Sequence, residues 1–483
     1  MIYGRFFMRN FSKLLTVFIL LSLSLFCFTA CKSGTERSSY DLSIKYNEGK
    51  IDGKLSYKFV NSHNTTFDHL IFNLHANAYK QGAKHRPVTT TSEAKAYPNG
   101  LSYGEITING VKANEQNLSY EIFGEDGQFL KINTGEIKHG KSILVDVDFT
   151  TILPDSTLRL GKTSHGVNLA DFFPTACKIE DGKFLQINYS PLGDPYFADL
   201  HDYSVDLTVP SEYTVASSGF PTLTEVDGVY TTYSYELIAG RDFAFALSKG
   251  YEVYSKIHDG VTYTYYGLRD DGEEMLNQMI DCASYFSSSF GAYPYKSLSL
   301  AECELSFGGM EYSGLCFINE ATVKEEKIRI IAHEIAHEWW HSAVGNNQNT
   351  CAYIDEGLAE YSTYLYLLKN HGEDKAKQMI NTAKLAYKSF FSIEETLLGA
   401  VDTTMERELS SFKNEYEYSC LAYDKSLIMF YEYGKAVGED SAIKALSKLY
   451  KENLNGDLNL ERLTKVLGHT EHFSSFVEGK VLM

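Results

Sequence analysis

One short segment of the sequence has residue types and spacing suited to binding a metal ion. In IIAHEIAHEWWH, His333 and His337 lie four residues apart, and Glu334 directly follows the first histidine. On an α-helix, residues four apart point in nearly the same direction, so both imidazoles emerge on one face and reach one ion. Glu334 lies beside them, where its carboxylate can activate water rather than bind the metal. The pattern is typical of zinc-dependent hydrolysis.

A catalytic zinc ion normally has three protein ligands and an open fourth position, so a third ligand is required. Glu356 follows His337 after eighteen intervening residues. These residues can end the first helix, turn at residues 345–347 and start a second helix near Asp355. The second helix would then return alongside the first. We therefore expect His333, His337 and Glu356 to bind one zinc ion.

Two other residues of these helices have open roles. His341 continues the four-residue series, but the whole series spans roughly 12 Å, too far for one ion, so we expect a surface or supporting position. Glu360, one turn after Glu356, either orients an imidazole or lies on a solvated helix face. A rival class of zinc site needs Gly and His three and six residues after the second histidine. Trp340 and Ala343 exclude it.

Composition argues against some functions. The 483 residues carry a formal net charge of −19, which becomes −22 without residues 1–30, because these contain Arg5, Arg9 and Lys13 and no acid. Nucleic-acid binding needs clustered cations and is disfavoured. The six cysteines after Cys31 are scattered without a Cys-x-x-Cys pair, which argues against a Cys-rich zinc site. Disulfides and buried free thiols both remain open.

The first thirty residues have the pattern of a targeting segment. A cationic start precedes an apolar run at residues 14–26, which ends at FTAC with Cys31. This resembles a bacterial lipoprotein signal, in which the cysteine is lipidated, so we expect a membrane-tethered protein with Cys31 as the lipidation site. An uncleaved membrane anchor is the alternative. Both place the body of the protein outside the cytoplasm.

The rest of the chain divides into a β-rich part and an α-rich part. Residues 31–40 are a polar linker, and residues 41–255 contain short alternating strands separated by turn residues and no convincing helix. Residues 256–483 have helical periodicity around a small sheet. We therefore expect a multi-domain α+β protein with an N-terminal antiparallel β-sandwich or saddle. The predicted helices cover Gly272–Ser289 and residues 325–344, 355–370, 373–391, 415–432 and 441–453.

These residues resemble a known family. The His-Glu-x-x-His and Glu356 spacing, with GGMEY at residues 308–312, is similar to the aminopeptidase N family of gluzincins. NLADFFP, GDPYFADLHDYSVDLTVP and VASSG resemble that family's N-terminal β-domain. Residues from about 255 resemble its thermolysin-like catalytic domain. The resemblance implies a zinc metallopeptidase with one zinc ion and peptide substrates.

The resemblance also implies how a substrate is bound. GGMEY corresponds to the family's Gly-Ala-Met-Glu-Asn exopeptidase motif, so Gly308, Gly309 and Met310 would contact the substrate, and Glu311 would hold its free α-amine. Without the zinc motif, a tight turn beside a strand would be the preferred interpretation of this segment.

A tyrosine that donates to the oxyanion is implied in the same way. LAYDKS places Tyr423 at the position of the family's tyrosine. Tyr416 and Tyr418 lie close enough to be alternatives.

The function expected from these observations is hydrolysis of N-terminal peptide bonds by a zinc aminopeptidase. An endopeptidase or oligopeptidase with the same chemistry is the first alternative, and a non-catalytic peptide-binding lipoprotein is the second. Two features depart from the family pattern. The second amine anchor of many relatives has no match here, since His165 and Asn168 are only nearby polar residues. The large C-terminal helical domain of longer relatives is also absent.

Overall fold

Alternation of apolar and polar residues gives the N-terminal half long strands with one buried face. In the computed structural model, which describes residues 36–194 and 196–480, β1 (Ser39–Asn47) alternates buried and exposed side chains along nearly its whole length. A strand with this pattern packs one face on a core and presents the other to water.

Strands occur in both parts of the chain. In chain order they are β1 (Ser39–Asn47), β2 (Lys50–Val60), β3 (Phe67–Asn73), β4 (Glu105–Ala113), β5 (Gln116–Asn117), β6 (Tyr120–Phe123), β7 (Phe129–Ile137), β8 (Ser142–Ile152), β9 (Leu160–Lys162), β10 (Val167–Leu169), β11 (Thr175–Ala176), β12 (Ile179–Glu180), β13 (Lys183–Phe184), β14 (His201–Pro210), β15 (Thr214–Ser217), β16 (Phe220–Asp227), β17 (Tyr230–Gly240), β18 (Phe245–Ser248), β19 (Glu252–His258), β20 (Val261–Gly267), β21 (Ser297–Cys303), β22 (Gly309–Tyr312), β23 (Leu315–Asn319), β24 (Gly345–Asn346) and β25 (Asp457–Leu458).

The N-terminal part is built from one large sheet and two smaller ones. The eight-stranded sheet has the order β16-β17-β14-β1-β2-β8-β4-β5, and the four-stranded sheets have the orders β15-β18-β10-β9 and β11-β3-β7-β6. β1 pairs with β14 in parallel, so the expectation of a purely antiparallel domain is wrong at this pair. A long stretch of chain separates the end of β1 at Asn47 from the start of β14 at His201, which permits the parallel pairing.

Helices dominate the C-terminal part. In chain order the α-helices are α1 (Glu93–Ala96), α2 (Gly272–Ser289), α3 (Lys324–His337), α4 (Gln348–Asn370), α5 (Glu373–Leu398), α6 (Glu415–Ser419), α7 (Ser426–Val437), α8 (Glu439–Asn453), α9 (Leu460–Leu467) and α10 (Thr470–Val477). Wider π-helical turns span Glu338–Ala343 and Cys420–Lys425, and 3-10 turns span His75–Tyr79, Glu125–Gly127 and Leu409–Ser411.

Most predicted helices are present, with several differences. The helix predicted over residues 325–344 is α-helical only to His337 and is followed by the π-turn Glu338–Ala343, and the helix predicted over residues 373–391 continues to Leu398. The helix bearing Glu356 begins at Gln348 rather than near Asp355. The segment predicted as one helix over residues 415–432 is interrupted by the π-turn at Cys420–Lys425. α1 and the 3-10 turn His75–Tyr79 lie within the part predicted to lack helix. α9 and α10 were not predicted, because each is only eight residues long.

Two large apolar cores support the two parts. One core draws on buried residues between Tyr40 and Leu247, and the other on residues between Tyr263 and Val477 together with Leu192. The five-stranded sheet β19-β20-β21-β23-β22 covers the second core, and β22 is its edge strand. The predicted domain boundary after residue 255 falls inside β19, which pairs with β20 of this sheet. The α+β fold class is thus confirmed.

Three other observations bear on the sequence expectations. The six cysteines after Cys31 are all buried and unpaired. The signal segment and Cys31 itself lie outside the described residues. Within residues 36–194 and 196–480, every helix is too short or too polar to cross a bilayer.

Candidate active site

The three predicted metal ligands meet in the interior, where α3 and α4 pack side by side. His333 Nε2 lies 3.1 Å from His337 Nε2, and Glu356 Oε2 lies 3.3 Å and 3.4 Å from these two nitrogens. All three side chains are buried. The spacing of four on α3 and the return of α4 therefore produce the convergence that the sequence predicts.

The geometry of these three atoms fits a zinc ion. A tetrahedral ion with ligands at 2.0–2.1 Å would hold neighbouring donor atoms about 3.3 Å apart, close to the three separations observed. Glu356 Oε2 is buried and has no hydrogen-bond partner in the described residues, so a donor atom faces the centre of the group. Although burial opposes it, the two imidazoles lower the pKa of Glu356 to about 2, which keeps this carboxylate anionic.

The surroundings of the three ligands carry an excess of buried negative charge. Besides Glu356, the carboxylates of Glu311, Glu334, Asp355 and Glu360 are each less than one tenth exposed. Buried charge is costly unless it is paired or coordinates a metal. A divalent cation between the imidazoles and Glu356 would supply the missing positive charge.

Glu360 holds one imidazole from the side facing away from the metal position. Its Oε1 lies 3.0 Å from His333 Nδ1, and it also accepts from Arg329 at 3.2 Å. Glu360 is buried, so the alternative of a solvated helix face does not apply. A carboxylate in this position fixes the orientation of a liganding imidazole.

Glu334 lies on the open side of the two imidazoles and lines the cavity above them. A Cβ atom on Gly309 would lie 2.5 Å from Glu334 Oε1, so glycine at this position gives the carboxylate the space it occupies. Burial raises the pKa of Glu334 to about 8, although the His333 imidazole acts in the opposite direction. A carboxylate with a raised pKa near the working pH is suited to accept and return a proton.

Tyr423 contacts two of the predicted metal ligands. Its hydroxyl donates to Glu356 Oε1 at 2.5 Å, and its ring stacks on His333 with the centroids 5.9 Å apart. Burial raises the pKa of Tyr423 well above its usual value, so the hydroxyl stays a donor. Tyr418 also lines the cavity, whereas Tyr416 is 46% exposed and does not. The geometry therefore favours Tyr423 over Tyr416.

The GGMEY segment forms one wall of the same cavity. Residues from Gly308 to Glu311 line it, and β22 pairs on one side only, with β23. An edge strand of this kind can pair with an extended peptide. Glu311 is 4% exposed and points toward His337 and Asp355.

His341 lies in the interior and not on the surface. It is buried within the π-turn at Glu338–Ala343, and its Nε2 lies 3.0 Å from Asp242 Oδ2. Its ligand atom lies within 4.8 Å of those of Glu311 and Asp355, so His341 lies beside the predicted amine anchor. The alternative of a surface position is therefore wrong, because the chain folds back over this turn.

The opposite wall of the cavity comes from the N-terminal part. The cavity has a volume of about 540 Å³, and Arg159 and Asp194 both line it. The two side chains pair at 2.6 Å in a nearly buried position. Farther along this wall, Thr89 and Ser92 both donate to the Glu415 carboxylate, the second at 2.7 Å. The cavity is thus enclosed between both parts of the chain.

Sequence reasoning did not find these residues of the opposite wall. Asp194 lies within GDPYFADL, a stretch recognised only for its family likeness, and no fixed spacing connects it to the zinc motif. The two residues considered for a second amine anchor lie elsewhere. His165 contacts Glu320 at 2.5 Å, and Asn168 donates to the Leu158 carbonyl at 2.8 Å.

A second cavity adjoins the first on the side of Tyr423. It has a volume of about 510 Å³, and Arg329, Glu360 and Tyr423 line both cavities. It continues along α5, where Lys375 and Met379 face it. There is therefore space next to the metal position for several residues of a peptide.

Comparison with known proteins shows similarity to zinc peptidases. Residues 274–479 match the model of the peptidase family M1 domain, which confirms the predicted family resemblance. The puromycin-sensitive aminopeptidase of Caenorhabditis elegans is 28% identical over 148 residues, which is 27% of this chain and 16% of that protein. Aminopeptidase M1-D of Oryza sativa subsp. japonica is 25% identical over 288 residues, 55% of this chain and 32% of the relative. The aligned segments thus span about a third or less of these relatives.

Among solved structures, the M1 zinc metallopeptidase from Deinococcus radiodurans is similar over almost the whole chain. The match has a TM-score of 0.65 and covers 93% of this chain and 96% of that one, at 15% sequence identity. The shared fold therefore includes the N-terminal β-rich part as well as the segment matched by the family model.

Proposed function

We propose that this chain, whose residues 274–479 carry a peptidase family M1 domain, is a zinc-dependent aminopeptidase. The observation that carries the proposal is the convergence of His333, His337 and Glu356 at separations suited to one zinc ion. Glu334 and Glu311 line the same cavity, so a water-activating group and an amine-binding group flank one metal position.

Each residue around the metal position has its own role in hydrolysis. His333, His337 and Glu356 would hold the zinc ion, which would supply Lewis-acid chemistry to the scissile carbonyl and to water. Glu334 accepts the proton of the attacking water and passes it to the leaving amine. Tyr423 donates its hydroxyl to the negative charge that develops on the carbonyl oxygen.

Glu311 makes the enzyme an exopeptidase in this proposal. Its buried carboxylate would pair with the α-ammonium of the first substrate residue, and this pairing places the first peptide bond at the metal. The free edge of β22 would hold the substrate backbone in an extended form. Asp194 lines the opposite wall of the cavity, where its carboxylate is paired with Arg159.

Peptides of three or more residues are the substrates that this geometry favours. The second cavity begins where Tyr423 and Arg329 end the first, so residues after the cleaved bond have a place to lie. A mutant of the Deinococcus radiodurans M1 zinc metallopeptidase has been solved with a Tyr-Ser-Ala substrate. That protein shares the fold of this chain, which supports peptides of similar length as substrates here.

The test combines metal analysis with a panel of aminoacyl-arylamides and short peptides. The purified protein is expected to contain one zinc ion per chain and to cleave free but not N-acetylated peptides. Glu334→Gln should keep the zinc and lose about 10³–10⁴-fold in kcat, because the group that moves the proton is gone. Equal cleavage of free and acetylated peptides would reject the exopeptidase in favour of an endopeptidase, and full activity of Glu334→Gln would reject Glu334 as the base.

The location outside the cytoplasm is a separate part of the proposal. The cationic start, the apolar run at residues 14–26 and Cys31 support lipidation and tethering to the membrane surface. Labelling cells with a fatty-acid analogue should mark the wild-type protein, and Cys31→Ser should abolish the label. Unchanged label in Cys31→Ser would reject Cys31 as the lipidation site, and membrane retention without label would favour the uncleaved anchor.

A further inference from the structure

Gln348 connects the predicted amine anchor to the helix that carries a metal ligand. It is the first residue of α4, and it is 2% exposed. Its Nε2 lies 3.3 Å from Glu311 Oε1 and 2.7 Å from Asp355 Oδ2. A side-chain amide has two N–H groups, so one amide can donate to both carboxylates.

Among residues 36–194 and 196–480, Gln348 is the residue that donates a hydrogen bond to the Glu311 side chain. A glutamate side chain has three rotatable bonds, and without a partner its carboxylate would sample several orientations in the cavity. An anchor selects an amine only if its oxygen atoms stay where the ammonium must lie. Gln348 supplies this restraint from outside the cavity, because it does not line the cavity itself.

Asp355 holds the Gln348 side chain in place. Its Oδ2 accepts from Gln348, and its Oδ1 accepts from Asn346 at 2.9 Å. Asp355 is also the residue before the metal ligand Glu356. The network therefore connects the position of the amine anchor on β22 to the position of the metal ligand on α4.

The charges around Glu311 suit an ammonium group better than a second metal ion. The ligand atoms of Glu311, His341 and Asp355 lie within 4.8 Å of one another, a grouping that could hold a cation. However, each oxygen of Asp355 already accepts from an amide, and His341 is held by Asp242. Glu311 is left as the group that faces the cavity and is available to an incoming cation.

We propose that Gln348 is a positioning residue for substrate recognition: it holds Glu311 in the orientation that binds the α-ammonium of the peptide. The inference rests on the proposed aminopeptidase function. Gln348 touches no reacting atom, so its loss should weaken recognition of the amine and leave zinc in place. The effect is therefore expected in KM more than in kcat.

The test uses two inhibitors that differ in the amine alone. Leucine hydroxamate carries an α-amine, and 4-methylpentanoyl hydroxamate lacks it, whereas both present the same group to the metal. In the wild type, the amine-bearing compound should bind more tightly. In Gln348→Met, which removes the donors at similar volume, this advantage should shrink by about tenfold or more, the effect of losing one hydrogen bond to a charged group.

A matched variant separates positioning from general damage. Asn346→Ala removes an equally buried amide from the other oxygen of Asp355 and leaves the Gln348 contact with Glu311 in place. It should keep the advantage of the amine-bearing inhibitor. Gln348→Leu, which also removes the amide donors and adds no charge beside Glu311 and Asp355, serves as a second variant if Gln348→Met folds poorly.

Each outcome decides the inference. Loss of the amine advantage in both Gln348 variants, with zinc content and 4-methylpentanoyl hydroxamate affinity unchanged, supports it. An unchanged advantage, or an equal loss for both inhibitors, overturns it while the aminopeptidase proposal stands. A wild-type protein that binds neither inhibitor and contains no zinc overturns both proposals.

Discussion

The two walls of the active-site cavity are specified in different ways. On the α3–α4 side, the predicted metal ligands and Glu334 belong to two sequence motifs. The helix period places His333 and His337 together, and the packing of α4 on α3 adds Glu356. On the opposite side, Arg159, Asp194 and Ser92 come from separate loops of the β-rich part. These three residues come together only when the strands of three sheets pair in the correct register. The chemistry is therefore encoded locally, and the enclosure of the substrate is encoded by the whole fold.

This difference implies that variants of the two walls fail differently. A change to a group on the α3–α4 side should act on zinc binding, turnover or recognition of the substrate amine. A change in the β-rich wall should act through stability, or through substrate binding, and leave the zinc in place. The following predictions test this contrast, from the largest expected effect to the smallest.

Tyr423→Phe should lower kcat by about 10²–10³-fold, because the hydroxyl that stabilises the negative oxygen is lost. KM and zinc content should change little, since the ring still stacks on His333. Steady-state kinetics with an aminoacyl-arylamide, together with metal analysis, measures this. Tyr416→Phe, at an exposed position, is the control and should keep wild-type kinetics. A kcat of Tyr423→Phe close to the wild-type value would remove Tyr423 from the mechanism.

His75→Phe should reduce the loss of folding stability that acidic pH causes. Burial lowers the pKa of His75 to about 3, so in mildly acidic solution the unfolded chain binds a proton at this histidine and the folded chain does not. Stability therefore falls as the pH drops from about 6.5 toward 3, and the His75 contribution at pH 5 is about 2 kcal/mol. The phenylalanine ring can keep the packing on Tyr189 and Tyr196.

Urea denaturation at pH 7 and pH 5 measures this effect. The difference in unfolding free energy between the two pH values should be smaller in His75→Phe than in the wild type. The exposed His139→Phe should keep the wild-type difference. An identical pH dependence in His75→Phe and the wild type would show that His75 is not buried in its neutral form.

Glu415→Ala should have the smallest effect. It removes the acceptor of Thr89 and Ser92, which connect the β-rich wall to α6 beside the cavity. Partly exposed polar contacts contribute little, so kcat/KM should fall by only about twofold to fivefold, with the zinc retained. Glu408→Ala, an exposed carboxylate on the same side, should keep the wild-type value. A loss of zinc in Glu415→Ala would contradict the separation of the two walls.

The sequence predicted the residues on the α3–α4 side of the cavity well and those of the β-rich wall poorly, for a physical reason. His333 and His337 lie one helical turn apart, and a short connection leads to the helix of Glu356. Their spacing in the sequence therefore predicts how they are arranged. The start of α4 at Gln348 was missed because Asn346, Asn347 and Asn349 favour a turn over a helix. As a result, the contacts of Gln348 with Glu311 and Asp355 could not be predicted.

The position of the β-rich wall depends on contacts between residues far apart in the chain. Arg159 and Asp194 are brought together by sheet pairing and packing, and neither has a fixed spacing to the zinc motif. The π-turn that places His341 in the interior gave no sequence signal either, because residues four apart on a helix are as often exposed as buried.

The central claim is that one zinc ion is held by His333, His337 and Glu356. Metal analysis after dialysis against a weak chelator tests it most directly. We predict one zinc ion per chain in the wild type and in Glu334→Gln, and almost none in His337→Ala and Glu356→Ala. Zinc retained at the wild-type level in Glu356→Ala, or absent from the wild type, would contradict the claim.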